Sequence, residues 1–283
     1  MAEPDSLTPP VVPPTSAAED ILRVEHIAKR YGPITALRDV NLHLKKGEVL
    51  GLVGDNGSGK STLMKTICGF QRADAGQMFL DGEPYEPRSV DQARALGVDA
   101  VYQDLALVDD LTVFHNMFLR RERVRRPLPF LSMGEMRRAT RSALDEIGIH
   151  LPRLDAPVAR LSGGQRQAIA VARTVFSDAE VIMLDEPLAA MGVKEGAQIL
   201  DLVDRLKREG QVSIIIVAHN YAQVFEICDR VNLLDNGVIA FDKPTSETSV
   251  EELTGLVVDE YRRARQQTAA EAGAATQAQS GTE

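Results

Sequence analysis

The chain of 283 residues is 44% hydrophobic and carries a formal net charge of -9. This length and apolar content allow one large domain or two small ones with a sizeable core. The acidic balance argues against a protein whose main function is to bind nucleic acid, because that function requires a basic face. The longest apolar runs fall well short of the roughly 18 residues that a membrane-spanning helix needs.

Both ends of the chain are expected to lie outside the folded domain, which we place at residues 21–246. Residues 1–20 are rich in proline and lack the features of a secretory signal, so they predict a disordered leader. Residues 247–283 are expected to form a helix followed by a disordered tail. Cys68 and Cys228 have no metal-ligand spacing, which predicts two buried thiols in a reducing cytosol.

Strand patterns in chain order predict two kinds of sheet. Residues 21–27 and 36–44 alternate between apolar and polar positions and QMFLDG adds a third run, which indicates an antiparallel β subdomain. Apolar runs followed by helical patterns then predict a parallel sheet covered on both faces, at residues 49–53, 98–102, 181–184 and 213–218. Asn236 and Gly237 are typical of a type I′ turn between two late strands.

The stretch from Leu111 to Phe176 lacks strand patterns and carries helical ones, notably at residues 132–147. We therefore expect an inserted helical subdomain at about residues 105–176. This region contains a basic cluster that either faces lipid headgroups or a partner, or is simply solvated. Its members are Arg120, Arg121, Arg123, Arg125 and Arg126.

The sequence GDNGSGKST follows the first apolar strand of the parallel set. Its spacing fits G-x-x-x-x-G-K-[ST], in which bare backbone N–H groups surround phosphate oxygens. In this motif Lys60 reaches the β- and γ-phosphates and Ser61 ligates Mg²⁺. The alternative is a glycine-rich turn between a strand and a helix. The predicted nucleotide-binding residues are Gly54, Asp55, Asn56, Gly57, Ser58, Gly59, Lys60, Ser61 and Thr62.

Adjacent carboxylates end the apolar strand in VIMLDEP. An acid at such a strand end helps to hold Mg²⁺ in P-loop NTPases, which predicts this role for Asp185. Glu186 is positioned to orient and deprotonate the attacking water. An exposed acidic turn after a buried strand is the alternative interpretation.

The segment LSGGQ stands just before the apolar helical pattern at residues 168–176. A serine and two glycines at the start of a helix place a hydroxyl and bare N–H groups where the helix dipole favours an anion. The predicted anion-binding residues are Ser162, Gly163, Gly164 and Gln165. A plain serine N-cap is the alternative.

With these motifs in this order, the chain resembles the ATPase subunit of an ATP-binding cassette (ABC) transporter over roughly residues 22–243. The resemblance implies an α/β P-loop NTPase fold that binds ATP and Mg²⁺. It also implies that Tyr31 stacks on adenine, that Gln103 contacts Mg²⁺ and the attacking water, and that His219 contacts the γ-phosphate. Taken alone, Tyr31 is more often a plain packing residue, Gln103 a loop amide and His219 a capping residue.

Subunits of this family pair head to tail, so that LSGGQ of one closes over the nucleotide held by the other. The resemblance thus implies a second copy or a homologous subunit, an integral membrane permease and, indirectly, an extracytoplasmic sugar-binding protein, with no nucleic acid. The chain is then a peripheral protein on the cytoplasmic face of the inner or plasma membrane. YQDLALVDDLTVFHNMFLRRE and GFQRADAGQMFLDG are similar to segments of ribose, xylose and fructose importers, especially short single-cassette forms.

The chain departs from the family pattern in one place. Most ABC ATPases carry Ala-Leu-Asp after the acidic pair, where this chain has Ala190-Met191-Gly192. Importers of other solutes remain an alternative, as do soluble ABC ATPases of DNA repair or translation. The soluble class is expected to have a coiled-coil insertion, a zinc module or tandem cassettes, none of which the sequence contains. A catalytically silent module is expected to have lost Lys60, Glu186 or His219. All three are present, which argues against this alternative.

Overall fold

A computed structural model describes residues 20–125, 130–177, 179–189, 191–210 and 212–258. Within these residues, ten strands form one sheet in the order β5-β4-β1-β2-β12-β11-β3-β10-β9-β6, and β7 pairs with β8. The strands are β1 (Asp20–Tyr31), β2 (Ile34–Lys45), β3 (Val49–Val53), β4 (Ala75–Leu80), β5 (Glu83–Pro84), β6 (Val98–Val101), β7 (Val124–Arg125), β8 (Phe130–Leu131), β9 (Val181–Asp185), β10 (Ser213–Val217), β11 (Arg230–Asp235) and β12 (Val238–Pro244).

Helices cover the sheet and build the inserted region. They are α1 (Lys60–Ile67), α2 (Val90–Ala95), α3 (Val113–Met117), α4 (Met133–Glu146), α5 (Gly163–Val175), α6 (Val193–Glu209) and α7 (Tyr221–Ile227). Residues 250–258 are also helical. The remainder of the predicted tail and the predicted leader before Asp20 lie outside the described residues. None of the helices in the described ranges is long and apolar enough to cross a bilayer.

The core of the sheet is parallel, as predicted. β10 lies between β3 and β9 in parallel register, β6 extends the set beyond β9, and β11 pairs with β3 on the other side. Every residue of β3 and β10 is buried, because helices cover both faces. This arrangement brings the carboxyl ends of β3, β9 and β10 to one edge, where parallel sheets bind ligands.

Antiparallel pairing dominates the other end of the sheet. β1 pairs with both β2 and β4, and β11 turns back into β12. Asn236 and Gly237 have φ values of 45° and 79°. These two positive values are those that a type I′ turn requires.

The prediction that residues 111–176 contain no strands is wrong at one point. A short hairpin pairs Val124 with Leu131 and Arg125 with Phe130. Strands of two residues are too short to show an alternating pattern, so the sequence gives no signal for them. The helix after LSGGQ also begins five residues earlier than the apolar pattern indicates, at Gly163.

The core contains two buried thiols and a buried ion-pair network. Cys68 and Cys228 are free and buried, and burial raises the pKa of the Cys68 thiol to about 12. Arg230 on β11, which is only 8% exposed, lies 2.7 Å from the Glu48 carboxylate and 2.7 Å from the Asp242 carboxylate. This ion-pair network joins the entry of β3 to the hairpin of β11 and β12.

Replacing Arg230 by methionine is expected to lower the free energy of unfolding by about 3 to 5 kcal/mol, because it leaves two largely buried carboxylates without their cation. Arg208→Met is the matched control, since Arg208 pairs with Asp204 at the surface. An exposed pair contributes only about 0 to 1 kcal/mol. Urea unfolding of both variants measures the difference, and equal losses would contradict the structural role assigned to Arg230.

Candidate functional site

Residues 54–59 connect β3 to α1 and form the loop predicted to bind phosphate. Lys60, the first residue of α1, donates hydrogen bonds from Nζ to the carbonyl oxygens of Gly54 and Asp55, both at 2.7 Å. Burial lowers the pKa of the Lys60 ammonium, although the nearby carboxylates of Glu186, Asp55 and Asp185 act in the opposite direction. The loop therefore folds around a positive charge held at its centre.

Two features leave this loop ready for an anion. The Ser58 hydroxyl is buried and has no hydrogen-bond partner among the described residues. A Cβ at Gly57 would meet open space, so the loop is uncovered there. Gly59 has a φ of 113°, and a Cβ there would lie 2.6 Å from the carbonyl oxygen of Ala36. Only glycine fits this position without a backbone shift.

The acidic pair lies at the carboxyl end of β9, beside β10. Asp185 is in register with Val217, and the backbone N–H of Glu186 donates to the Val217 carbonyl at 2.8 Å. Glu186 has a positive φ of 48°. Residues other than glycine rarely adopt this backbone conformation, and it often occurs at functional positions. The structure brings Glu186 to His219, with Oε1 3.2 Å from Nδ1.

The electrostatics of Asp185 link the two halves of the site. Burial raises the pKa of this carboxyl, the neighbouring Glu186 raises it further, and Lys60 counteracts both. The loop ammonium and the strand-end carboxylates thus influence each other directly. An anion and a divalent cation arriving together would satisfy both sets of charges.

The residues present fit Mg²⁺. Asp185 and Ser61 offer a carboxylate and a hydroxyl, the hard oxygen donors that this ion prefers. In the described part of the chain no group of three or more His, Cys, Asp or Glu side chains is placed to hold a metal. A protein that supplies one or two oxygen ligands and leaves the others to phosphate and water is the usual arrangement for Mg²⁺ with a nucleotide.

A mainly apolar cavity of about 180 Å³ is lined in part by Glu186 and His219. Leu200, Ile216 and Val224 are among its lining residues, so α6, β10 and α7 all border it. The sequence patterns did not indicate this cavity. An apolar surrounding strengthens the electrostatic interaction between polar groups at its edge.

Gln103 follows β6 by two residues and is exposed. β6 pairs with β9 up to the register Val101–Leu184, so Gln103 leaves the sheet at the same edge as Asp185. The role of Gln103 at this edge stays a prediction.

Tyr31 ends β1 and is 46% exposed. Its hydroxyl donates to Oε1 of Gln71, and Gln71 Nε2 donates to the Thr62 carbonyl of α1 at 3.1 Å. The Lys29 ammonium lies 5.9 Å from the centre of the Tyr31 ring. Sequence reasoning missed Gln71, which connects this aromatic ring to the helix after the phosphate loop. Gln71 lies 40 residues from Tyr31 along the chain, so no local pattern could show the contact.

The LSGGQ segment starts α5. Ser162 accepts a hydrogen bond from the Gln165 backbone, and the Gln165 side chain accepts one from the Ser162 backbone, which forms a capping box. A Cβ at Gly164 would lie 2.9 Å from Cβ of Glu195 on α6, so close packing of α5 against α6 requires glycine there. No hydrogen bond or ion pair joins Ser162 or Gln165 to the phosphate loop within the described ranges.

Gly192, the departure from the family pattern, precedes α6 as its N-cap. Its φ of -69° suits any residue, and a Cβ would meet no atom within 4 Å. The backbone therefore does not require glycine at this position, and nothing in the structure explains the substitution.

Comparison with known proteins identifies the family. Residues 37–189 match the family model for the ABC transporter domain. A xylose/arabinose import ATP-binding protein of Sulfolobus acidocaldarius is 42% identical over 238 residues, which cover 84% of this chain and 94% of that protein. A fructose import ATP-binding protein of Rhizobium meliloti is 40% identical over 224 residues, which cover 77% and 85%.

A solved structure shows the same fold. The ATP-binding cassette of an ABC transporter in its ADP conformation matches with a TM-score of 0.70 and 26% identity, and the match covers 85% of this chain and 95% of that one. The phosphate loop, the acidic end of β9 and the capped start of α5 thus occur on an ATP-binding cassette fold. This chain belongs to the ABC transporter family.

Proposed function

We propose that the chain is the ATP-hydrolysing subunit of an ABC importer for a monosaccharide. One observation carries the chemistry: the ammonium of Lys60, inside the phosphate loop, interacts electrostatically with the carboxylates of Asp185 and Glu186 at the end of β9. Glu186 in turn contacts His219, which follows β10. The substrate class is supported by the relatives, which are named as import proteins for xylose or arabinose and for fructose. We assign the ATPase domain to residues 21–246, with its helical subdomain at about residues 105–176.

The phosphate loop binds the triphosphate of ATP. Lys60 exchanges its hydrogen bonds to the Gly54 and Asp55 carbonyls for phosphate oxygens, and the unpartnered Ser58 hydroxyl gains an acceptor. The backbone N–H groups of the loop and of the start of α1 face the same anion. Tyr31, held by Gln71, supplies an aromatic face for adenine. The proposed nucleotide contacts are Tyr31 and residues 54–62.

Ser61, Asp185 and Gln103 are the residues that hold Mg²⁺. When bound, the ion neutralises charge that develops on the transferred phosphoryl group. This chain contributes the Ser61 hydroxyl at the start of α1, the Asp185 carboxylate at the end of β9 and the amide of Gln103.

Glu186 is the general base. It accepts the proton of a water whose oxygen attacks the terminal phosphorus, while the bond from that phosphorus to the β,γ-bridging oxygen breaks and ADP leaves with the electron pair. His219, whose Nδ1 lies 3.2 Å from Oε1 of Glu186, positions this carboxylate and contacts the transferred phosphoryl group. Catalysis of this kind rests on positioning and charge stabilisation.

A second copy, or a homologous subunit, completes the site. Ser162, Gly163, Gly164 and Gln165 present a capped helix start that suits an anion but makes no polar contact with the loop of its own chain. We assign these residues to the γ-phosphate held by the partner chain, which explains why one chain needs only one set of motifs.

The other partners are an integral membrane permease and, through it, a sugar-binding protein outside the cytoplasm. The subunit is then peripheral, on the cytoplasmic face of the inner or plasma membrane. No nucleic acid takes part. Gly192 supplies no side chain for a connection between the two nucleotide sites.

The test is ATP hydrolysis in proteoliposomes that hold the permease and this subunit. We expect slow hydrolysis by the subunit alone and a clear increase with permease and monosaccharide-loaded binding protein, because closure of the dimer limits turnover. Unloaded binding protein and an amino-acid-loaded one from another importer are the controls. Stimulation by neither sugar nor permease would contradict the importer assignment.

A further inference from the structure

The short hairpin of β7 and β8 exposes an unusual number of apolar side chains. Val124 is 50% exposed, Phe130 67% and Leu131 44%. Val124 and Leu131 lie opposite each other on one face, and Phe130 and Arg125 on the other. Both faces of the hairpin are therefore accessible. An isolated two-stranded hairpin is only marginally stable in water, so a contact that covers one of these faces would stabilise it.

Arginines lie close to these apolar groups along the chain. Arg120 pairs with Asp91 at 2.9 Å and Arg123 with Glu135 at 2.7 Å. Arg121 and Arg125 are exposed, and neither has an ion pair within the described ranges. The surface formed by residues 121–125 and 130–131, which we name the arginine hairpin, thus offers two guanidinium groups beside three apolar side chains.

The arginine hairpin is remote from the phosphate loop. Arg120 and Arg121 border a polar groove that also includes Gly97 and Glu180, which precede β6 and β9. The nucleotide residues lie at the carboxyl ends of these parallel strands, on the opposite edge of the sheet. An occupant of the hairpin therefore leaves the phosphate loop accessible.

We propose that the arginine hairpin binds directly to an anionic lipid bilayer. Guanidinium groups form paired hydrogen bonds with phosphate, and Phe and Leu side chains at the headgroup level gain from leaving water. The chain as a whole carries a charge of -9, so a bilayer of the same sign repels it except where a local positive surface faces the lipid. An apolar cluster beside the arginines favours lipid over nucleic acid, whose backbone has no apolar layer.

The inference rests on the proposed function only in placing the chain beside a membrane. A contact of this kind would orient the subunit and help to hold it at the bilayer. It concerns residues that take no part in ATP binding or hydrolysis.

Flotation of the purified full-length chain with vesicles tests the proposal. We expect binding to vesicles of phosphatidylcholine with phosphatidylglycerol, weak binding to phosphatidylcholine alone, and loss of binding as salt rises. Arg121→Gln with Arg125→Gln should weaken the partition coefficient by roughly 5-fold per arginine, about 25-fold together. Phe130→Asn should weaken binding to the anionic vesicles while leaving the charge unchanged.

Arg38→Gln with Arg153→Gln is the matched control, because both arginines are exposed, have no ion pair in the described part of the chain and lie outside the arginine hairpin. This variant has the same net charge as the test variant and should bind vesicles like the unmodified chain. Equal loss in both double variants, or no loss in either, would overturn the proposal.

Hydrolysis of ATP in solution should be unchanged in the hairpin variants, which separates this proposal from the catalytic one. If the Arg121 and Arg125 variant bound lipid normally but lost stimulation by the permease, the arginine hairpin would be a protein-binding surface, and the lipid proposal would be wrong. Failure of sugar to stimulate hydrolysis, with lipid binding intact, would instead count against the importer assignment alone.

Discussion

Replacing Glu186 by glutamine is expected to lower the rate of ATP hydrolysis by about 10² to 10⁴-fold, the effect of removing a general base. This corresponds to roughly 3 to 5 kcal/mol of activation free energy. The amide keeps the size of the side chain but does not accept a proton at neutral pH. The contact with His219, whose Nδ1 lies 3.2 Å from Oε1 of Glu186, is retained because the glutamine keeps an oxygen there.

Affinity for ATP should be preserved or increased in Glu186→Gln, because a carboxylate beside the γ-phosphate repels it and an amide does not. Phosphate release measures the rate, and binding of a fluorescent ATP analogue measures the affinity. Glu209→Gln, an exposed change at the end of α6, is the control and should hydrolyse ATP normally. A near-normal rate in Glu186→Gln would mean that another group is the base. Because Gly192 departs from the family pattern beside this site, a base supplied by the partner chain would be examined next.

Replacing Lys60 by alanine is expected to abolish ATP hydrolysis, a loss of at least about 10²-fold for a group that stabilises transferred charge. Lys60 is the cation at the centre of the phosphate loop. Its hydrogen bonds within the described residues are to two loop carbonyls and not to the core. The fold should therefore survive the substitution.

Phosphate release and thermal unfolding by circular dichroism check the two halves of this prediction. Lys46→Ala removes an exposed lysine just before β3 and serves as the control for charge. Turnover like that of the unmodified protein in Lys60→Ala would refute the phosphate-loop assignment. A large fall in melting temperature would show that Lys60 stabilises the fold, which the observed contacts do not predict.

The sequence was most informative where a single local pattern determines structure. The five residues of β3 are all apolar and all buried, and the positive φ values at Asn236 and Gly237 follow from the preference of this pair for a type I′ turn. The order of strands in the sheet was less accessible. β3 lies between β10 and β11, which begin more than 160 residues later, and such pairing depends on contacts that no local window contains.

The same division holds in the candidate site. The phosphate loop, the acidic pair and the LSGGQ helix start follow from residue types at fixed spacing. The contact of Glu186 with His219 and the bond of Tyr31 to Gln71 join distant parts of the chain. The sequence indicated the basic cluster, but the hairpin that carries it escaped prediction because its strands contain two residues each.

The claim that two chains build one nucleotide site is tested most directly by the mass of Glu186→Gln in solution. Gel filtration with light scattering is run with Mg-ATP and without nucleotide. The account predicts a monomer without nucleotide and a dimer with Mg-ATP, because blocked hydrolysis leaves the partner's Ser162 on the bound γ-phosphate. A monomer under both conditions, at ATP concentrations that saturate binding, would contradict it.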